Sequence, residues 1–291
     1  MTATIAALPD GLPAAGPRAR RRFELSRIRG LPPTVALSLL VLLVVVAWSF
    51  APALFTSYDP VNGDTSEKFL APGGAHWLGT DHLGRDVFAR IVYGTSSSVT
   101  SALVAVTIGV VVGGLIGLLA GFLGGWVDVV LARIVDVLLA IPGFLLAVVI
   151  VSSLGFQTIN AAIATGVSAV AVFARVMRAE VLKVRRAVFV EASALQGGSS
   201  WHILARHVLP NASRSVLALG VLQFGTSILV IAGLAFLGYG DPPPASDWGL
   251  LVASGKDYLV SSPWLVYAPA LVIVATVLSV NRVSRWLRKT G

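Results

Sequence analysis

The sequence predicts an all-α membrane protein, a polytopic bundle of six transmembrane helices, and three observations predict it. Only 12% of its 291 residues are charged and 56% are hydrophobic, whereas soluble domains carry about 25% charge. Apolar runs occur at about 34–54, 99–123, 134–153, 158–177, 215–239 and 264–281. Each approaches the roughly 20 residues a helix needs to cross a bilayer core ~30 Å thick. The basic residues are also unevenly divided among the segments between the runs. Six arginines, Arg18 to Arg29, precede the first run and seven basic residues lie between the fourth and fifth. Arg282, Arg285, Arg288 and Lys289 follow the sixth, and with Arg133 eighteen of the 22 fall on one side. Lys68, Arg85, Arg90 and Lys256 share the other side with eight acids. This positive-inside bias predicts cytoplasmic N- and C-termini.

The same observations exclude other classes. A β-barrel would show short segments of alternating polarity, not continuous apolar runs. The net charge of +8 is accounted for by topology, so no nucleic-acid partner is expected. With no cysteine, disulfides, thiolate metal sites and cysteine nucleophiles are ruled out.

Residues 1–17, rich in Ala, Pro and Gly, are predicted to be disordered. Some thirty residues precede the first run, so it reads as an uncleaved anchor and not as a signal peptide. The outer stretch that follows contains "HWLGTDHLGRDVFARIVYG". Its Val87, Phe88, Ile91 and Val92 have helical spacing, which predicts a short amphipathic helix on the membrane surface. Asp81 or Asp86 is placed to cap it.

The second run holds Gly109, Gly113, Gly117, Gly121 and Gly125 at four-residue spacing. Such a stripe makes a groove for close helix packing; a glycine-lined substrate path is the alternative reading. The third opens with Trp126, Asp128, Arg133 and Asp136 and contains Pro142. Arg133 and Asp136, three positions apart, are expected to form an interfacial ion pair, and Pro142 to kink the helix. The outer loop "GDPPPASDWG" is expected to follow a rigid, extended course.

Between the fourth and fifth runs lies "ARVMRAEVLKVRRAVFVEASALQ", a helical pattern broken by Gly197 and Gly198. Trp201, Leu204 and Val208 then resume it, with Ser199 or Ser200 as N-cap and Pro210 with Asn211 as its end. The prediction is a rigid helix–turn–helix projecting into the cytoplasm.

No "GxxxxGK[ST]" occurs, so no P-loop for ATP is present. His76, His82, His202 and His207 lie in loops without metal-ligand spacing, and His202 and His207, five apart, are not expected to share a helix face. No metal site is predicted, nor any convergent acid–base set for catalysis. "NAS" at 211–213 matches a glycosylation sequon but falls on the cytoplasmic side. A self-sufficient secondary transporter would favour charges at the midplane, and the runs hold almost none.

"EASALQGGSSWHILARHVLP", Glu191 to Pro210, resembles the EAA loop of ABC importer permeases. "HWLGTDHLGRDVFARIVYG", "GFLGGWVDVVLARIVDVLLAIP" and "AFLGYGDPPPASDWG" are similar to segments of the C-type subunit of dipeptide and oligopeptide permeases, a family that also serves nickel, glutathione and opines. The resemblance covers about residues 30–281. It implies a type I permease fold in a bacterial cell membrane, with partners that supply everything this chain lacks. These are a homologous second permease, two cytoplasmic ATPase subunits holding ATP and Mg, an external binding protein and the membrane lipid. Glu191, Ala192, Gly197, Trp201, His207 and Pro210 become the ATPase-coupling residues. Asp81, Arg85, Asp86, Asp241 and Trp248 become candidates for docking the binding protein; for Arg85 and Asp86 a local ion pair that orients the surface helix is the alternative reading. The layout is a tail over 1–30, a first helix with outer segment over 31–94, a permease domain over 95–285 with its coupling loop at 176–211, and a tail over 286–291. Ser96, Ala187 and Ile231 depart from the family pattern, as does the ending "NRVSRWLRKTG".

Overall fold

In hydrocarbon a backbone must satisfy its own N–H and C=O groups, and helices do this within one segment. The computed structural model describes residues 32–290, and among them there is no strand. The arginines before the first span and the stretch 1–17 lie outside the described residues. One compact unit begins at Pro33. Its elements are α1 (Pro33–Phe50), α2 (Val87–Leu123), α3 (Gly125–Ala140), α4 (Gly143–Leu154) and α5 (Thr158–Arg185). There follow α6 (Val188–Leu195), α7 (Ser200–Tyr239), α8 (Trp248–Gly255) and α9 (Trp264–Thr290). By length and composition α1, α2, α5, α7 and α9 can each cross a membrane, and α3 with α4 passes the same test as a pair, a broken span or a re-entrant loop.

That bend is much sharper than a kink. The two halves meet at 91°. A proline disfavours helical backbone in the residue before it, and Ile141 is extended, with φ −89° and ψ 128°. Pro142 therefore ends one helix and starts the next.

The expected surface helix is not a separate element. It is the first part of α2, which runs unbroken for 37 residues and contains one wider π-turn at Gly109–Gly113. Asp86 is its N-cap, its Oδ1 accepting from the Ala89 N–H at 2.6 Å. At the other end of the chain, α9 continues through residues 286–290, so the described part of that stretch is helix. Arg282 Nη2 donates to Thr34 Oγ1 at 2.7 Å, tying α9 to the start of α1.

The centre of the bundle is α5, packed between α2, α4 and α7. Against it α2 presents small residues. A Cβ at Gly113 would overlap the Val170 carbonyl oxygen, and one at Gly117 the Ala174 carbonyl oxygen. At Gly121 a Cβ would lie 2.9 Å from Val181 Cβ, and at Gly109 2.7 Å from the Phe173 ring. Four members of the glycine ladder thus form the close α2–α5 contact. Gly125 does not belong to it: it starts α3 at φ +57° with nothing near its Cβ position.

Valine at Gly117 must push two backbones apart. Overpacking of this kind costs ~1–3 kcal/mol, so Gly117→Val is expected to lower the melting temperature in detergent. Gly114→Ala, whose Cβ would meet only Met177 Cε at 3.6 Å, is the matched control and should melt like the wild type. Equal melting of both variants would contradict this packing.

Candidate coupling and docking sites

The hairpin between α5 and the fifth apolar run follows from three local features. After α5 ends, Ala187 at φ −78° and ψ 138° breaks the helix and α6 begins. Gly197 then turns the chain at φ +82°, a region that L side chains rarely occupy, while the Gly198 N–H donates to the Ser193 carbonyl at 3.0 Å. Ser199 caps α7, its Oγ accepting from the His202 N–H at 3.2 Å.

Beyond that cap the structure departs from expectation. Pro210 and Asn211 do not end the second helix. It passes through a π-turn at Leu204–Val208 directly into the fifth span, so Pro210 lies in the first turn after the π-turn, where a missing N–H is tolerated. The π-turn also overturns the reading of the two histidines. Its wider winding brings residues five apart onto one side, and the His202 and His207 rings stand 5.9 Å apart. Phe189 from α6 lies 6.0 Å from His207, so ring contacts close the hairpin. Val190 is buried, and Val208 packs with Phe173, Met177 and Val181 beneath α5 and α7.

The tip faces outward. Glu191, Ala192 and Val188 are exposed, Leu195 is 89% exposed and Trp201 75%. Apolar side chains left exposed together on a turn make a candidate contact surface. Beside them, Ser199, Trp201, His202, Ala205, Arg206 and Pro210 line an open concavity.

Nearby, Asp136 is paired differently from the sequence expectation. Its Oδ1 accepts from Arg175 Nη2 at 2.6 Å, and Arg178 Nη2 reaches Asp128 Oδ2 at 2.8 Å. Both arginines sit on α5, so the acids of α3 tie it to the central helix, and Arg133 is not the partner of Asp136. The first pair is half exposed and contributes little; the second is more enclosed.

On the outer side, most docking candidates prove to be internal. Asp81, Arg85, Asp86 and Trp248 are buried, which leaves them no surface to offer a second protein. Asp81 Oδ2 accepts from Arg85 Nε and Arg90 Nη1, both at 2.8 Å, while its Oδ1 takes the Leu83 and Arg85 N–H groups. Burial pushes the Asp81 carboxyl up, but the Arg85 hydrogen bond and these N–H groups outweigh it and hold it below the ordinary 3.8. Asp86 Oδ2 is bonded to His76 Nδ1 at 2.8 Å. The whole knot fixes the outer segment onto the start of α2.

The proline-rich loop is fastened to the same place. Arg90 Nη2 donates to the Ala245 carbonyl at 3.0 Å, Trp248 Nε1 to the Ile91 carbonyl at 3.2 Å, and a Cβ at Gly94 would overlap the Ser246 carbonyl oxygen. Asp241, half buried, accepts from the Thr158 N–H at 3.0 Å and so caps α5. Asp247, which the sequence reading passed over, caps α8 through the Leu250 N–H at 3.1 Å, and burial pushes its carboxyl up. Of the three departures from the family pattern, Ile231 is buried beside Ala105, Ala161 and Val151, a setting that suits an apolar residue. Ala187 makes the break before α6, and Ser96 is exposed on α2. Among the described residues no group of three His, Cys, Asp or Glu stands close enough to hold a metal.

Residues 109–290 match the family model for the inner membrane component of binding-protein-dependent transport systems. A dipeptide transport system permease protein of Alkalihalophilus pseudofirmus is 37% identical over 82% of this chain and 78% of its own. A probable D,D-dipeptide transport system permease protein of Escherichia coli is 33% identical over 94% and 93%. A glutathione transport system permease protein of Pectobacterium atrosepticum is 37% identical over 87% and 84%. Among solved structures, an amino acid ABC transporter crystallised with histidines superposes with a TM-score of 0.52 at 17% identity. That alignment covers 69% of this chain and 94% of the other, and at such identity it is a likeness of fold alone.

Proposed function

We propose, for a chain that belongs to the family of binding-protein-dependent transport system inner membrane components, that it passes di- and oligopeptides into the cell as one permease of an ABC importer. Its work is to bind no nucleotide itself but to be moved by subunits that do. A homologous second permease completes the path, two cytoplasmic ATPases supply the stroke, and an external binding protein delivers the substrate. Both termini and the 188–208 hairpin lie in the cytoplasm.

The observation that carries this reading is the hairpin. It is short, rigid and apolar at its tip, and it joins α5 and α7 with only a two-residue break on one side and none on the other. When ATP binding draws the two ATPases together, a docked hairpin has to follow. Two helices that run the depth of the membrane then follow with it, which is the lever that alternating access needs. A flexible loop would absorb the same motion. Glu191, Ala192 and Trp201 provide the exposed contact, and Gly197 sets the turn between them. His207 and Pro210 support the hairpin from the α7 side.

Peptides are favoured over other cargo because two of the relatives described are named for dipeptides. Glutathione is the second reading, favoured by the relative named for it. Isolating the chain from its native membrane is expected to bring a second permease and ATPases with it. Vesicles holding that assembly should accumulate a labelled dipeptide only with ATP inside, at the cytoplasmic face, and binding protein outside. Accumulation by the chain alone, without ATP, would overturn the coupling reading. Uptake of glutathione and not of dipeptides would overturn only the choice of cargo.

A further inference from the structure

The apolar surface of the first span does not stop where the span does. Along α1, Leu37, Leu40, Leu43 and Val46 are exposed on the outside of the bundle, as expected of a lipid-facing helix. Phe50, its last residue, is 86% exposed, and Leu54, in the short turn Pro52–Leu54, is 83% exposed. A series of ring contacts then leads from Phe55 to Trp48 (6.3 Å), from Trp48 to Phe88 (5.7 Å) and from Phe88 to Trp77 (5.3 Å). It ends on an indole that is 67% exposed. Two separate parts of the outer segment, residues 50–55 and Trp77, are thereby joined along one apolar edge next to the first turn of α2. The polar part of the segment lies elsewhere. Asp59 bonds the Val61 N–H and the Asn62 side chain, and Asp64 bonds Ser66, all of them exposed.

We propose that this edge is a membrane seat: Phe50, Leu54 and Trp77 rest in the headgroup layer of the outer leaflet and hold the 51–86 segment flat against the bilayer. The length of α1 sets the level. Its 18 residues rise ~27 Å at 1.5 Å each, close to the ~30 Å of hydrocarbon, so Phe50 arrives at the boundary and Leu54 one turn beyond it. Indole rings favour that zone, where the ring is in apolar surroundings and the N–H is wet. The edge also continues the exposed row of α1 without a polar gap. The inference rests on α1 being a span, and on nothing about cargo or coupling.

With no cysteine in the chain, an introduced one reports a single position. Leu54→Cys and Trp77→Cys, with Asn62→Cys as the water-facing reference, would each be nitroxide-labelled in the full transporter, its other subunits free of cysteine. The vesicles would contain phosphatidylethanolamine and phosphatidylglycerol. At positions 54 and 77, collisions with oxygen are expected to exceed those with a water-soluble nickel chelate several-fold, and at 62 the order should reverse. If 54 and 77 behave like 62, the edge stands in water; if neither reagent reaches them, another protein covers it. Either result overturns the proposal. An independent measurement avoids cysteine altogether: brominated phospholipids should quench the intrinsic fluorescence of the wild type more than that of Trp77→Phe, and equal quenching would also overturn it.

Discussion

Gly197→Val is expected to abolish uptake while leaving the chain inserted and folded. The backbone there has φ +82°, which a β-branched residue adopts only at a cost of ~1–3 kcal/mol. No atom lies within 4 Å of the added Cβ, so the cost is conformational and not steric. The turn can relieve it by adopting another backbone geometry, since its tip is exposed. A shift of that size lowers the ratio of docking-competent to opened turns about 5- to 150-fold. The ATPases then close without drawing α5 and α7 along. Asparagine enters the left-handed region far more readily, so Gly197→Asn should keep most of the transport although it adds as many heavy atoms to its side chain as many hydrophobic residues. The pair separates backbone geometry from size. Measured dipeptide uptake, together with the amount of ATPase co-purified, checks it; normal uptake by Gly197→Val would remove the hairpin from the coupling route.

The hairpin was readable because its signals are local. Two glycines, a serine cap and an apolar spacing within twenty residues define a turn whatever surrounds it. The cap at Asp86 was readable for the same reason. Pro210 was not, because a proline just inside a helix and one just past its end look alike in sequence, and a π-turn at 204–208 decides between them. That turn also paired His202 with His207, which the ordinary helical period sets apart. The six apolar stretches match the five long apolar helices and the bent α3–α4 pair, yet a proline within an apolar run does not record that its break turns the chain by 91°. Asp136 illustrates the same limit at one residue. A partner three positions away seemed sufficient, but Arg175, 39 positions on, is the one that the packing of α3 on α5 brings within reach.

The outer candidates went wrong in a more instructive way. Asp81, Arg85 and Asp86 become docking candidates only through the family resemblance, which implies outer loops that face a binding protein. Part of what covers them is local: His76 bonds Asp86 and residues 63–64 lie against 83–85, while the proline-rich loop and α8 close over the next turn of α2 through Ala245 and Trp248. Charge was a good guide to importance and a poor guide to exposure. The glycine at position 94 was the available sign, since its Cβ would overlap the Ser246 carbonyl oxygen, but one glycine does not announce which segment crosses it.

This burial gives the second large expected effect. Asp81→Asn is predicted to cost ~3–5 kcal/mol, the range for removing one member of a buried ion pair. One carboxylate oxygen, Oδ2, serves both Arg85 and Arg90, and an amide in its place leaves two buried guanidinium groups facing each other without a counter-charge. The damage should reach the outer segment and, through Arg90, the 245 loop, while the α2–α5 contact lies far along the helix. Protease cleavage within 56–86 should therefore increase sharply in Asp81→Asn, with the hairpin around Glu191 unaffected. The pH dependence follows from the same contacts. Because the folded carboxyl titrates below its ordinary 3.8, its contribution is complete above that value and fades only as acid carries the pH below it. The wild-type segment should stay closed from neutral pH down to about 4 and open below it, whereas Asp81→Asn should be open throughout. Equal protection of the two proteins at neutral pH would mean that the arginines find another partner, and that Asp81 is not what holds the outer segment onto α2.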